Sequence, residues 1–212
     1  MEYIFERLTD TSCLHDFCCG VIPMDCFIQD GFDLSIANHY CSAYIVKESL
    51  KESTVLALFA LSFDSLDLDI DDRNEIITGV SNTNIPEFTD NYKDIFLTKP
   101  RYPALEIAYL AVDKNYHKSG LGKIIVEAIV QKAQKQDLAG CQFITVEALN
   151  TQEYNAVGFY DKCCFSACEY PNPNKGTLRM FRSLYPVSFP FSEANSFSIS
   201  SRNKLIYQSD TL

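Results

Sequence analysis

The chain has 212 residues, 47% hydrophobic and 22% charged, a composition that supports one well-buried core and excludes global disorder. Its longest apolar run, residues 55–61, is far too short to cross a bilayer, and Glu2 and Glu6 spoil a signal-peptide reading, so a cytoplasmic location without a membrane partner is expected. The formal charge of −10 is uneven: residues 1–100 carry 6 Lys/Arg against 18 Asp/Glu, or −12, whereas residues 101–212 carry 12 against 10, or +2. Such a field disfavours non-specific nucleic-acid contact and attracts a cationic amine; it reads equally as a solvated acidic surface that aids solubility.

Nine cysteines are an odd number, Cys18-Cys19 and Cys163-Cys164 are vicinal pairs that bridge poorly, and no C-x-x-C occurs, so reduced thiols are expected. Cys13, His15, Cys18 and Cys19 form the one cluster worth weighing as a metal site. A second ligand pair at zinc-finger spacing is missing, so no metal is expected and small buried cysteines are favoured.

In chain order, residues 3–9 read as a strand and residues 12–20 as a short capped helix. Pro23 then opens a helix in which Met24, Phe27 and Ile28 share a face, ending at Gly31 or resuming through Leu34 and Ile36. Residues 41–47 and 54–63 follow as antiparallel strands. Residues 64–82 are acid-rich and 81–103 polar with three prolines, which supports nothing regular beyond a short strand at 76–80. Residues 105–112 make a strong strand. From Gly120 the spacing of Leu121, Ile124, Ile125, Ala128, Ile129 and Ala133 predicts a helix. Residues 141–148 are strand-like, 153–162 helical, and 165–170 with 177–184 form a hairpin around Pro171-Asn172-Pro173-Asn174. One domain over 1–185 with an insertion at about 64–104 is expected, then an extension over 186–212. Its strand-like residues 204–208 offer an edge to a second subunit, which leaves a homodimer open.

The segment Tyr116-His117-Lys118-Ser119-Gly120-Leu121-Gly122-Lys123 lies between a strand and a helix start. Glycines let a backbone approach phosphate closely, and N–H groups at a helix N-terminus donate with roughly half a positive charge behind them. Each such bond to a charged group contributes about 1.5–3 kcal/mol, so three or four anchor a diphosphate. By itself G-x-G is more often a tight connection, and it is neither a Walker loop nor G-x-G-x-x-G.

Leu105-Glu106-Ile107-Ala108-Tyr109-Leu110-Ala111-Val112-Asp113 followed by His117-Lys118-Ser119-Gly120-Leu121-Gly122 resembles the cofactor motif of the GNAT superfamily of N-acetyltransferases, R/Q-x-x-G-x-G/A after a bulged strand. His117 departs from the usual Arg or Gln, yet a histidine still donates a hydrogen bond, and phosphate favours its protonated form. Asn155-Ala156-Val157-Gly158-Phe159-Tyr160-Asp161-Lys162-Cys163-Cys164-Phe165 is similar to the family's late helix, which ends F-Y-x-K-x-G-F, with Cys164 in place of the glycine. The resemblance implies an α+β fold: a mixed, mostly antiparallel sheet, splayed at a bulged central strand and flanked by helices.

It further implies acetyl-CoA as co-substrate. The backbone of Leu110, Ala111 and Val112 would pair with pantetheine amides, while His117, Lys118, Ser119, Gly120, Leu121, Gly122 and Lys123 would hold the diphosphate. Asn155 and Phe159 would lie along the cofactor arm, with Tyr160 as general acid toward the departing thiolate. Tyr160 alone reads more readily as a core aromatic beside Phe159, and together with the glycine loop the acid reading prevails. Glu106 reads either as the base that deprotonates the amine or as a surface residue, and Asp113 as a strand end.

The implied reaction is direct transfer of acetyl from acetyl-CoA to a primary amine in a ternary complex. Two alternatives stand beside it. Phe17-Cys18-Cys19-Gly20 and Met24-Asp25-Cys26-Phe27-Ile28 resemble the early helices of GNAT toxins that acetylate aminoacyl-tRNA, which the −12 balance opposes. The His117 and Cys164 departures motivate a non-catalytic acyl-CoA-binding module.

Overall fold

A computed structural model describes residues 2–49, 51–78, 90–168, 176–184, 197–200 and 204–208. In chain order these form β1 (Glu2–Arg7), a 3-10 turn (Thr11–Leu14), α1 (Ile22–Asp30), α2 (Phe32–Ala37), β2 (Ser42–Glu48), β3 (Lys51–Leu66), α3 (Ile70–Thr78) and α4 (Asp90–Thr98). There follow β4 (Tyr102–Val112), a second 3-10 turn (Lys114–Tyr116), α5 (Leu121–Lys135), β5 (Phe143–Leu149), α6 (Val157–Asp161), β6 (Ser166–Ala167), β7 (Thr177–Ser183), β8 (Phe197–Ser200) and β9 (Lys204–Gln208). The architecture is α+β with mostly antiparallel strands, as expected. No helix among the described residues is long and apolar enough to cross a membrane. Contacts divide the chain into two units, and β3, β4 and α5 contribute residues to both.

The first unit comprises Met1–Ser62, Ala108–Gly122 and Phe189–Leu212. Its strand order β3-β2-β1-β9-β8 is antiparallel throughout. Alternation along β2 and β3, interrupted by a register shift where Val46 faces Ala57 and Lys47 faces Val55, turns Ala43, Ile45, Val55, Leu58 and Ala60 toward a core completed by Leu8, Leu14, Phe17, Ile28 and Phe32. Pro23 sits in the first turn of α1, and after Gly31 the helix resumes as α2. Met24 and Phe27 pack on this core beside the buried Ile28, as their shared face predicts. Two readings are corrected. The helix expected over 12–20 is a single 3-10 turn, because Asp10 accepts from Ser12 N at 2.9 Å and caps one turn only. Residues 204–208 do form a strand, yet β9 pairs with β1 of its own chain, Glu2 opposite Gln208 through Phe5 opposite Leu205.

The second unit comprises Phe63–Ile107 and Lys123–Ser188, with strand order β6-β7-β5-β4. β5 pairs with antiparallel β7 from Phe143 to Leu149, but with parallel β4 only over residues 104–106. Buried positions on β4 shift from even (Tyr102, Ala104) to odd (Ile107, Ala111), a one-residue change of phase of the kind a bulged strand carries. The core is an aromatic chain: Phe96 to Tyr102 at 4.6 Å, Tyr102 to Phe143 at 5.6 Å and Phe143 to Phe181 at 5.9 Å between ring centroids.

Here the acid-rich segment is corrected: residues 76–78 are helical in α3, residues 79–80 lie outside the described residues, and α4 stands where no element was expected. Asp69 Oδ1 accepts from the amides of Asp71 and Asp72 at 2.9 and 2.8 Å, and both acids occupy the favourable first turn of α3. Ile76 and Phe96, each 1% exposed, anchor the two helices inward. The hairpin turn expected at residues 171–174 lies outside the described residues.

Candidate functional site

In the first unit β4 delivers residues 110–112 to a turn that begins at buried Asp113. After the 3-10 turn, residues 117–120 are exposed, with Lys118 at φ 60° and Gly120 at φ 85°. A Cβ at Gly120 would meet nothing within 4 Å, so glycine is required there by backbone conformation rather than by space. Ser119 Oγ donates to Tyr116 O at 2.6 Å and accepts from Leu121 N at 3.3 Å, closing the entry to α5. The first turn of α5 holds no acidic residue, and Lys132 and Lys135 complement its far end. Its N-terminus therefore presents unopposed positive partial charge beside exposed backbone, an arrangement suited to an anion.

His117 occupies the position of the motif's Arg or Gln, and its Nε2 lies 2.9 Å from Val112 O. A carbonyl only accepts, so Nε2 carries the hydrogen and Nδ1 remains for another partner. On the other side of the turn, Asp25 of α1 accepts from Cys19 N at 2.7 Å, Gly20 N at 3.0 Å and Cys18 Sγ at 3.3 Å. Burial pushes the Asp25 carboxyl up, but these bonds outweigh it and hold the group below the ordinary carboxylate range.

The four side chains weighed as a metal cluster are engaged separately. Cys18 is on Asp25, Cys13 Sγ donates to Asp10 O at 3.5 Å, His15 lies 2.9 Å from Asp16, and Cys19 is buried. All nine cysteines are free thiols, and among the described residues no three His, Cys, Asp or Glu are gathered as ligands.

In the second unit the helix expected over 153–162 starts only at Val157, because Asn155 folds back: its Oδ1 accepts from Val157 N at 3.0 Å and its Nδ2 donates to Asn150 Oδ1 at 3.1 Å. α6 presents Phe159 and buried Tyr160, whose ring lies edge-on to Phe159 at 5.0 Å and Phe165 at 5.4 Å. Burial, with the neighbouring Cys163, pushes the Tyr160 phenol far above its ordinary value, so it stays protonated across the physiological range. Burial, with Glu127, pushes the Cys163 thiol up to about 11. Cys164, in the glycine position of the motif, takes φ 63°, so the glycine conformation is kept by a residue that disfavours it. Replacement Cys164→Gly is expected to stabilise the protein by about 1 kcal/mol, read as a higher urea midpoint at unchanged slope.

Glu106 is half-buried on β4, in register with Thr145 of β5. Lys123 is exposed on α5.

Sequence reading missed an ionic network in this unit. Arg179 of β7 reaches Asp64 of β3 at 2.6 Å and Glu147 of β5 at 3.1 Å; Thr177 donates to Glu147, and Thr145 to Asp64. Its signal was present as polar residues two apart, Thr145 with Glu147 on the otherwise apolar β5 and Thr177 with Arg179 on β7. Arg182 forms a second fork on Glu127 at 2.6 and 3.2 Å and also donates to Cys163 O.

The chain is similar in fold to AtaT complexed with acetyl-methionyl-tRNAfMet, with 21% identity, TM-score 0.61, and coverage of 85% of this chain and 94% of that one. AtaTR bound with acetyl-CoA matches at 22% identity, TM-score 0.60, over 86% and 94% of the two chains. A tyrosine-to-phenylalanine variant of KacT matches at 16% identity, TM-score 0.60, over 87% and 96%. The comparison with curated proteins finds no match. The sequence profile described as the acetyltransferase (GNAT) family matches residues 37–165, more than half of the chain and the span that contains both the 117–120 loop and Tyr160, and the chain therefore belongs to that family.

Proposed function

We propose that the chain transfers the acetyl group of acetyl-CoA to a primary amine by direct attack in a ternary complex. The observation that carries this reading is the exposed backbone of residues 117–120 at an α5 N-terminus free of acids, in a chain of the acetyltransferase family. Backbone donors there, with His117, Lys118 and Lys123, hold the diphosphate, and residues 110–112 pair with the pantetheine arm. Glu106 takes the proton of the incoming ammonium, freeing its lone pair for the thioester carbonyl carbon. As the C–N bond forms and the C–S bond breaks, Tyr160 gives its phenolic proton to sulfur; the acylated nitrogen loses its second proton through solvent, which reprotonates the phenolate, and Glu106 releases the first proton to solvent. Glu106→Gln is expected to lower kcat/KM most at low pH, where the amine is hardest to deprotonate; an unchanged pH profile would remove Glu106 from the mechanism.

The reading is tested by thiol release from acetyl-CoA over a broad panel of amines. Release with any of them supports it. Calorimetric binding of CoA without release over the whole panel would point instead to a non-catalytic acyl-CoA-binding module. The free thiols accord with a reducing compartment, and we place the chain in the cytoplasm.

A second reading, acetylation of aminoacyl-tRNA, is favoured by the fold shared with AtaT over 85% of this chain. It is opposed by the −12 balance of the first hundred residues, which repels a phosphate backbone. Growth arrest on expression together with acetylated aminoacyl-tRNA would establish it, and absence of tRNA binding at low salt would end it.

A further inference from the structure

We infer that Asp113 is a positioning residue for acetyl-CoA: it sets the shape of the phosphate loop by fastening its base to the segment that leads into α1. This rests on the acetyl-CoA reading above. Asp113 is only 7% exposed, one of two buried charged residues among the described residues, and its backbone and carboxylate polar atoms are all hydrogen-bonded within the first unit. Its amide donates to Leu56 O of β3 at 2.9 Å, and its carbonyl accepts from Tyr116 N at 2.8 Å. Oδ1 takes two bonds from Asn115, from the amide and from Nδ2, each 2.9 Å. Oδ2 takes Cys18 N at 3.4 Å, and Lys114 N returns a bond to Cys18 O at 2.9 Å. Both backbone groups of Cys18 are thus clamped to the start of the loop.

Cys18 is not a loose anchor. The next two amides, Cys19 N and Gly20 N, are held by Asp25 in the first turn of α1. A line of hydrogen bonds therefore runs from α1 through residues 18–20 to Asp113 and into residues 114–116. Beyond them the bonds of the exposed residues 117–120 are local, reaching Val112 O, Lys114 O, Tyr116 O and Leu121 N. Donors that must converge on a diphosphate gain affinity when their geometry is fixed beforehand, because less freedom is lost on binding. With Asp113 removed, the exposed segment keeps its glycines and lysines but loses the footing that aims them.

A strand-ending residue would affect stability alone. A positioning residue acts on cofactor affinity while sparing the chemistry of bound substrate, so KM for acetyl-CoA and kcat should separate. For Asp113→Ala in the full chain, CoA binding by calorimetry is expected to weaken about tenfold and KM for acetyl-CoA to rise by a like factor, with kcat at saturation within about twofold of the parent. Asp113→Asn keeps one oxygen for Asn115 but sets an NH2 group against Cys18 N–H, so it should fall between the two. Should Asp113→Ala fail to fold, Asn115→Ala decides, since it removes only the Nδ2 bond from an exposed side chain: weaker CoA binding supports the inference, and unchanged binding overturns it. A lower melting temperature with unaltered CoA affinity in Asp113→Ala overturns it as well, leaving the acetyl-CoA reading intact. Failure of the parent protein to bind CoA would remove both.

Discussion

Replacing Tyr160 with phenylalanine is expected to lower kcat by about 100- to 10,000-fold while KM for acetyl-CoA changes little, the range typical of a lost general acid. The substitution removes one oxygen. Ring contacts with Phe159 and Phe165 do not need it, so the fold should survive and the melting temperature should shift only slightly. Burial serves the role in one respect and opposes it in another. It holds the phenol protonated across the working pH range, so no activity is lost to ionisation of the acid. It also makes the free enzyme's phenol a reluctant donor, and proton transfer becomes favourable only when a thiolate develops beside it. Activity above neutral pH should therefore show no limb assignable to Tyr160. Unchanged kcat in the variant, with product release excluded as the slow step, would end the assignment.

Arg179→Met should cost about 2–3 kcal/mol of stability, measured by urea unfolding. The arginine neutralises Asp64 and Glu147 together across three strands of the second unit, with side chains 20–26% exposed. Burial works against its charge, but the two carboxylates hold the guanidinium above its usual value. Methionine fills the space of the stem and leaves two like charges facing each other in partly dry surroundings. A fully buried pair broken in this way loses about 3–5 kcal/mol, and residual solvent access reduces the figure. A loss below about 0.5 kcal/mol, the usual scatter of surface substitutions, would mean that water already screens the network.

The parts of this molecule that were legible in sequence share a property: their signal is local. The helix from Leu121, the strand ending at Val112 and the capped break at Gly31 are written in periodicity and in single residues with strong backbone preferences. α3 and α4 were missed because acids that cap and line a first turn also depress the apolar pattern by which a helix is recognised, leaving Ile76 and Phe96 as isolated signals. The late helix was drawn too long because Asn155 spends its side chain on a turn, an option that helix propensity does not reveal. At the candidate site, the residue types of the 117–120 loop were readable, whereas the His117 bond to Val112 and the ties of Asp113 to Cys18 were not. Cys18 and Asp113 lie 95 positions apart, and nothing in either neighbourhood specifies the other.

The pairing of β9 with β1 bears on how the chain is made. β1 leaves the ribosome before its partner, which is encoded some two hundred residues later, with Glu2 opposite Gln208. At about 5–20 residues per second, the outer edge of β1 waits on the order of 10–40 s for that partner. Throughout that interval a nascent hydrogen-bonding edge is available to other nascent chains, so crowded translation of this message should favour misassembly more than refolding of the finished protein does.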